Sequence, residues 1–561
     1  MNSTDTSGSD CADVRVAAPQ NGLAGLRHWR HDLLAGLVVS LVSLPLSSGI
    51  AIASGAPPIY GIISSIIAGL VFPFVGGSFV TISGPAAGLA PALLAIMVSL
   101  GGAGDADHVG AGYPMLLVVI FATGLVQLLM ARLGLARFAA IFPAAVVEGM
   151  LGAIGVLITI KALPMLFGYT GAVHAHGFVE YVASIPHWLA DGHKPALAVG
   201  LVSLVVLFIA KSAPAQRFRL FQILPPHIFG ATAGALLAMG LGLNSLDPSL
   251  LIEVPANPLD GIQLPAFGAL WARPDLWSAA ALGVVTLTLI DGVESLATAQ
   301  AIDRIDPFKR TSSPGRVLGG MGLSNILSSL VGGLTIIPGG VKSKTNIEAG
   351  GRTLWANFAN AVFLVGFLFV APGLVALLPK AALGAILVYT GWKMVHPNIA
   401  KHLAEIGREQ VVLYAITILA ILATDLLLGI LIGSAAKLVL VAWHHTRARG
   451  AVSMQVGSLV ALFQDPVSAI EHIERRTILH VDKPVVCFNA FRLAEHIEQE
   501  RRSGASIQID LGAGASVLDH TALENLRAMA AVDPGVIEVR GMDAMQARSR
   551  HPTAMRTGRR T

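Results

Sequence analysis

Apolar runs at Leu33 to Ser54, Leu116 to Met130, Leu197 to Ala210, Val411 to Thr424 and Leu426 to Trp443 reach or approach the about 20 residues that cross a bilayer as helix. A chain with several such runs is constrained to one class, a polytopic α-helical membrane protein. Composition agrees: of 561 residues, 54% are apolar, 13% charged and 60 are glycine, with a mean hydropathy of +0.69. A soluble domain needs roughly twice that charge. The first 30 residues are polar, with Asp10, Asp13, Arg15, Arg27 and Arg30, and lack the apolar core and small-residue cleavage site of a secretory signal. The first apolar run is therefore expected to be retained as a membrane helix. Cys11 and Cys487 are the only cysteines, which excludes a disulfide framework or a thiolate metal cluster. The net charge of +4 does not imply nucleic acid, because basic residues in a membrane protein mostly record topology.

Apolar runs and Gly/Pro punctuation divide the chain into about fourteen membrane segments between Leu33 and Trp443. With a cytoplasmic N-terminus, the inner loops collect Arg132, Arg137, Lys211, Arg217, Arg219, Arg304, Lys309, Arg310, Arg316, Arg352, Lys393, Lys401 and Arg408. The outer loops hold Lys161, Lys194, Arg273 and Lys380. This asymmetry puts both termini in the cytoplasm; the expected location is a cell inner membrane. The expected division is a cytoplasmic tail at 1–30, a transmembrane domain at 31–445, a small soluble α/β domain at 450–545 and a basic, disordered end at 546–561. Within the α/β domain "KPVVCFNAF", "SIQIDL" and "GVIEVR" read as strands, and "RLAEHIEQERRS" and "DHTALENLRAMA" as helices.

Two membrane segments are short and broken. "GGSFVTISGPAAG" (Gly76 to Gly88) and "GGLTIIPGGV" (Gly332 to Val341) each run from paired glycines through a β-branched stretch to Pro and Gly before a helix. Corresponding interruptions in two halves of a transporter point to a binding site at the bilayer midplane. A half-helix starting there aims its unpaired N–H groups, and about half a positive charge, at a bound anion. The first is expected to begin near Pro85, with Ser83, Gly84, Ala86 and Ala87 letting a small ion touch backbone; the second begins near Gly339 or Gly340, followed by Val341 and Lys342. A lysine in a helix's first turn opposes the dipole, so Lys342 is read as positive potential for an anion, against the alternative that it snorkels to the surface; for Lys344 snorkelling is preferred. Ser47 and Ser48, after Pro45, offer hydroxyls to the anion or to backbone.

In "TLTLIDGVESLATAQAIDR" the acids Asp291 and Glu294 lie one turn apart, and Glu294 and Thr298 share a helix face. Acids in a bilayer cost on the order of 3 kcal/mol each and are functional suspects. Glu294 with Thr298 is the candidate for holding a cation or relaying a proton, Na⁺ or H⁺, with no other cofactor or metal; Asp291 and Glu148 are read as structural. Phosphate-loop, HExxH and GxSxG motifs are absent from the sequence, so an enzyme is unsupported.

On "HDLLAGLVVSLVSLPLSSGIAIASGAPPIYGIISSIIAG", "FVTISGP", "DGVESLATAQAIDRIDPFKRTSSPGRVLGGMGLSNILSSLVGGL", Gly332 to Gly351 and "ASIQIDLGAGASVLDHTALENL", the chain resembles the SulP (sulfate permease) transporters, whose animal members form solute carrier family 26. The resemblance implies a nucleobase-permease-like fold of seven-plus-seven inverted repeats with core and gate domains, a C-terminal STAS domain, and usually a homodimer. It further implies an anion between the N-termini of the third and tenth segments. Lys342 falls where many members have arginine, Glu294 where members have an acid linked to cation coupling, and Leu46 where many have glutamine. His520 stands where related antagonists have a phosphorylated serine, which makes Thr521 a poor switch. The expected function is secondary transport of a small inorganic oxyanion, sulfate or bicarbonate, coupled to H⁺ or Na⁺, by elevator-like alternating access in contact with membrane lipid. Alternatives are an uncoupled anion channel or exchanger, a dicarboxylate carrier, a nucleobase permease, and a signalling module in which the STAS-like domain meets a cytoplasmic regulator.

Overall fold

The computed structural model describes residues 18–558 except 103–108, 137–142, 172–177, 244–246, 253–261, 371, 425, 449–455, 474–475, 503–505, 513–514 and 533–535. Its membrane part opens with α1 (Trp29–Ala53) and α2 (Pro58–Val75), then a three-residue strand β1 (Ser83–Pro85) and the short α3 (Ala90–Ser99). After these come α4 (Tyr113–Arg132), α5 (Ala144–Phe167), α6 (Lys194–Ala210) and α7 (Pro226–Gly240). The order then recurs: two helices, α8 (Trp277–Ile305) and α9 (Pro314–Ser329), a strand β2 (Ile336–Pro338) and a short helix α10 (Gly340–Glu348). Helices α11 (Trp355–Val370), α12 (Lys380–Met394), α13 (Arg408–Ala423) and α14 (Leu426–Ala448) complete it.

Packing mirrors this duplicated order. Helix α4 packs on α9 as α2 packs on α11, α1 on α11 as α8 on α4, and α5 lies against α12. Close approach rests on small residues: Gly124 of α4 faces Gly322 of α9, and Gly155 of α5 faces Gly391 of α12, each with partner backbone where a Cβ would sit. In lipid, where burying apolar surface between helices gains little, such backbone contact supplies the attraction. Apolar side chains left on the outside, among them Leu201, Val205 and Phe208 of α6 and Leu428, Leu431 and Val439 of α14, are exposed, as a lipid-facing surface requires.

The expected count of about fourteen crossings is not matched span for span. Among the described residues, 6 helices are long and apolar enough to cross a membrane, or up to 7 if the bent pair Phe178–Asp191 and Lys194–Ala210 is one span. The rest are shorter or broken. Lys161, placed in an outer loop by the charge count, lies inside α5, its ammonium 5.7 Å from the ring centroid of Tyr181.

Past α14 and the helix Val456–Ala461 lies a small α/β unit. Strands β3 (Val467–Ile473), β4 (Arg476–Val481), β5 (Ser506–Leu511) and β7 (Ile537–Arg540) form a sheet in the order β3-β4-β5-β7, antiparallel at β3/β4 and parallel beyond. Helices α15 (Ala490–Arg502) and α16 (His520–Val532) close its core, which gathers Leu479, Ile497, Ile507, Ile509 and Leu523. Two expectations fail here. "KPVVCFNAF" is a turn and the start of α15, because Asn489 accepts from the Val486 N–H and donates to the Pro484 carbonyl, and strand pairing shrinks to one bridge from Val485 to Leu518. The end expected to be disordered carries structure through 545–558: β6 (Val517–Leu518), β9 (Arg556–Gly558) and β8 (Met545–Ala547) form a second sheet over the buried Ala554 and Met555.

This unit sits on the membrane helices. Lys437 of α14 and Asp519 form an ion pair at 3.3 Å with both side chains at 0% exposure. His445 Nδ1 meets Ser516 Oγ at 2.5 Å, and the Ala144 N–H, at the start of α5, donates to Thr521 Oγ1 at 3.1 Å. Thr521 is thereby buried at the join.

Candidate functional site

Broken backbone inside a bilayer must find partners within the protein, and here the two breaks satisfy each other. Strands β1 and β2 pair antiparallel, Ser83 opposite Pro338, Gly84 opposite Ile337 and Pro85 opposite Ile336. The Gly339 N–H donates to the Ile82 carbonyl at 2.8 Å, and side chains absorb the rest. Ser343 Oγ accepts from the Ile82 N–H at 2.9 Å, Asn346 donates to the Val80 carbonyl at 2.8 Å, Ser64 Oγ accepts from the Leu334 N–H at 2.7 Å, and Asn325 Oδ1 accepts from the Ile336 N–H at 2.7 Å. Glycines with positive φ, Gly332 at 86° and Gly350 at 85°, punctuate the second break on either side, a conformation other residues rarely adopt.

Helix α10 starts at Gly340 with Gly339 as N-cap, so Lys342 stands in the first turn. The first half-helix departs from expectation: α3 starts at Ala90, not near Pro85, and Ala86 to Leu89 form a turn ahead of it. Around the two starts, Gly340 is exposed and Ala87, Gly339 and Val341 are half-buried, while Ser83, Gly84 and Ala86 are buried.

Lys342 is 1% exposed. Its ammonium donates to Ser47 Oγ of α1 at 2.8 Å and to Ser65 Oγ of α2 at 2.9 Å, and the two hydroxyls lie 2.8 Å apart. The amine also fills the place a side chain at Gly84 would take: a Cβ there would lie 2.6 Å from Nζ. The lysine therefore points across the first break and not to a surface, whereas Lys344 is exposed and faces Glu348 at 3.9 Å. Among the described residues no carboxylate pairs with Lys342. A buried cation held only by neutral hydroxyls is short of counter-charge.

Glu294 is buried in α8, and its Oε2 has no hydrogen-bond partner among the described residues. It lies against the turn before α3, where a Cβ on Gly88 would stand 2.4 Å from Oε2 and 2.5 Å from Oε1. Thr298, one turn on, touches the start of the other half-helix, its methyl being 3.8 Å from where a Cβ on Gly340 would sit. Asp291 is fully committed: Ser295 donates to Oδ1 at 2.9 Å and Asn325 to Oδ2 at 2.9 Å, and the same amide donates to Gln127 Oε1 at 2.8 Å.

The structure thus brings Ser47, Gly84 and Lys342 into contact, and sets Glu294 against the turn before α3 and Thr298 against the start of α10. Ser48 and Ser83 are buried with hydroxyls that find no partner among the described residues. Sequence reasoning missed Ser65, which holds the lysine, and Gln127 and Asn325, which hold Asp291 and β2.

The model of the Sulfate permease family matches residues 29–417. The bicarbonate transporter BicA of Synechocystis sp. is 26% identical over 408 residues, 72% of this chain and 68% of that protein. Sulfate transporter 4.1 of Arabidopsis thaliana, a chloroplastic protein, is 26% identical over 416 residues, 72% of this chain and 57% of its own. Among solved structures, the transmembrane domain of a cyanobacterial BicA covers 73% of this chain and 97% of its own at a TM-score of 0.61 and 23% identity. The overall structure of SLC26A9 covers 91% of this chain and 83% of its own at a TM-score of 0.63 and 16% identity. The relatives are named as transporters, and the chain is a multi-pass membrane protein that belongs to the sulfate permease family.

Proposed function

We propose that this chain is a secondary transporter of a small inorganic oxyanion, sulfate or bicarbonate. The observation that carries the reading is the buried Lys342 ammonium, held by Ser47 and Ser65 beside Gly84 and short of negative charge. In this reading the anion lies between the turn at Ala86 to Leu89 and the start of α10, taking hydrogen bonds from backbone N–H groups, charge from Lys342 and, by rotation, hydroxyls of Ser47, Ser48 and Ser83. Glycine and alanine at the contact admit a compact tetrahedral or trigonal ion and leave little to discriminate between them.

Glu294 is the coupling group of the proposal. Its unpartnered oxygen against Gly88 is a place for a proton or, with Thr298, for Na⁺. Because the carboxylate and the anion site share one turn of chain, occupancy of one changes the electrostatic cost of the other, which is what coupling of two gradients requires. Motion of the half-helix pair as a unit against the remaining helices, an elevator-like step, fits the way the two breaks hold each other by β1–β2 pairing. Uptake of labelled sulfate and bicarbonate into proteoliposomes, with H⁺ and Na⁺ gradients imposed one at a time, tests the reading. Absence of flux for both anions under every gradient overturns it.

A further inference from the structure

Where α14 leaves the membrane helices, a cleft of about 630 Å³ opens between its last turn and the β8–β9 ribbon of the C-terminal unit. Its polar lining is His444 and Arg447 from the helix and Gln546, Arg548 and Thr557 from the ribbon, with no acidic residue among them. Arg447 and Arg548 are exposed and form no ion pair among the described residues. Arg447 lies over the ring of Trp443 at 5.4 Å, and His444 Nδ1 is engaged with the Leu440 carbonyl at 2.7 Å, while its Nε2 finds no hydrogen-bond partner among the described residues. Glu409 lies within electrostatic reach of His444 but outside the cleft lining. The C-terminal end of a helix disfavours anions, so any attraction here comes from the side chains.

We propose that this cleft binds a phosphate-bearing anion. Two guanidiniums from opposite walls are suited to forked hydrogen bonding of phosphate oxygens, with Gln546 and Thr557 as neutral donors and His444 as a third, protonatable one. The place fits as well: exposed Trp443 marks the interfacial level of α14, and a basic pocket at that level meets the headgroups of anionic lipids. A free phosphate compound offers the same chemistry. Either occupant bridges α14 and the ribbon, near the Lys437–Asp519 pair and the His445–Ser516 contact that already join α14 to the C-terminal unit beside β6. Binding thus strengthens the docking of the C-terminal unit on the membrane helices.

The test uses the full chain purified in detergent. Native mass spectrometry after exposure to phosphatidylcholine with a minor fraction of phosphatidylglycerol reads the lipid arm; equilibrium dialysis against inorganic phosphate and ATP reads the soluble arm. Arg447→Gln with Arg548→Gln is expected to lose at least about tenfold in affinity in the arm that responds. Paired lysine substitutions, which keep the charge but lose the fork, should retain only part of it, and Arg492→Gln, which removes an exposed arginine elsewhere on the unit, should leave it unchanged. A response in the lipid arm alone names a headgroup, and in the soluble arm alone a free phosphate. Should the double variant not fold, Arg548→Gln at its exposed ribbon position carries the same expectation at several-fold. Binding equal to the parent chain in both arms for the glutamine variants, or an equal loss with Arg492→Gln, overturns the site.

Discussion

Lys342 and Glu294 meet the same five residues of chain from opposite ends: the ammonium occupies the side-chain space of Gly84, and the carboxylate that of Gly88. They come from different helices, α10 and α8, and make no ion pair with each other. A short stretch of the first break therefore reports on both the proposed anion site and the proposed coupling site, which makes the two separable by substitution.

Lys342→Ala should weaken anion binding by about 1.5–3 kcal/mol, roughly ten- to hundredfold, as expected for loss of a charge-assisted contact. Lys344→Ala should leave it unchanged, since that side chain is exposed and only faces Glu348. Lys342→Met adds a second criterion. Removing a buried cation that lacks a counter-charge should leave thermal stability without anion equal or higher, while anion-dependent stabilisation disappears. A methionine variant that melts lower and still gains stability from sulfate or bicarbonate counts against the assignment.

Ser65→Ala removes one of the two acceptors that hold the ammonium. We expect a several-fold loss of anion affinity, about 1 kcal/mol, with Ser64→Ala acting instead on stability, because Ser64 satisfies the backbone of the second break. Isothermal titration and thermal melts on the same preparations separate the two. Neither role was legible in "YGIISSIIAG": two serines in an apolar helix carry no periodicity that says which one faces a lysine 277 positions away. Lys342, Glu294 and the paired breaks were legible because a charge, or a Pro-Gly interruption, inside an apolar run has few cheap explanations. The antiparallel β1–β2 pairing and the start of α3 at Ala90 were not, since both depend on contacts between distant segments. In the C-terminal unit the same limit applies. "SIQIDL" alternates as a strand should, whereas the apolar "VVCF" is folded into a turn by Pro484 and Asn489.

Gly84→Ala and Gly88→Ala test the shared turn. The first drives a methyl to within 2.6 Å of Nζ and 2.8 Å of Ser65 Oγ, so the lysine must leave its serines, and anion affinity should fall with coupling stoichiometry intact. The second displaces the Glu294 carboxylate, so concentrative uptake should fail while exchange of anion persists. Glu294→Gln should match the second. Counterflow and gradient-driven uptake in the same proteoliposomes decide, and identical phenotypes for the two alanines would mean the turn is one structural element without separable sites.

Asn325 serves three partners at once, Asp291, Gln127 and the Ile336 N–H. Asn325→Leu leaves a buried carboxylate and a buried N–H without them, which should cost about 3–5 kcal/mol. Asn325→Asp, which restores the acceptor to β2 but sets a second acid beside Asp291, should cost as much. Removing the acid as well, by Asp291→Asn in the Asn325→Asp background, should recover part of that loss. Thermal melts of the parent, Asn325→Asp, Asp291→Asn and the double variant make a cycle whose interaction term should be large; additive effects would show that the network holds nothing together.

The join between α14 and the C-terminal unit can be followed through Cys487. Its thiol is fully buried, and burial, with the Asp519 carboxylate adding to it and Lys437 opposing, holds its pKa well above the usual thiol value of 9.0. An acid whose folded pKa is raised stays neutral in the native state as pH climbs, while the unfolded thiol ionises from about 9 upward, so its contribution to stability is complete below that pH and is lost above it. In a Cys11→Ser background, Cys487 should therefore resist maleimide at pH values up to about 9. Lys437→Ala strips Asp519 of its one ion-pair partner among the described residues, at a cost of about 3–5 kcal/mol, and takes away one of the residues that tie the unit to α14. If the parent resists because the thiol is sealed under this join, that variant should label at neutral pH while the sheet core around Leu479 and Ile509 stays folded. Rapid labelling of the parent chain, or continued resistance after Lys437→Ala, would separate the burial of Cys487 from the Lys437–Asp519 pair.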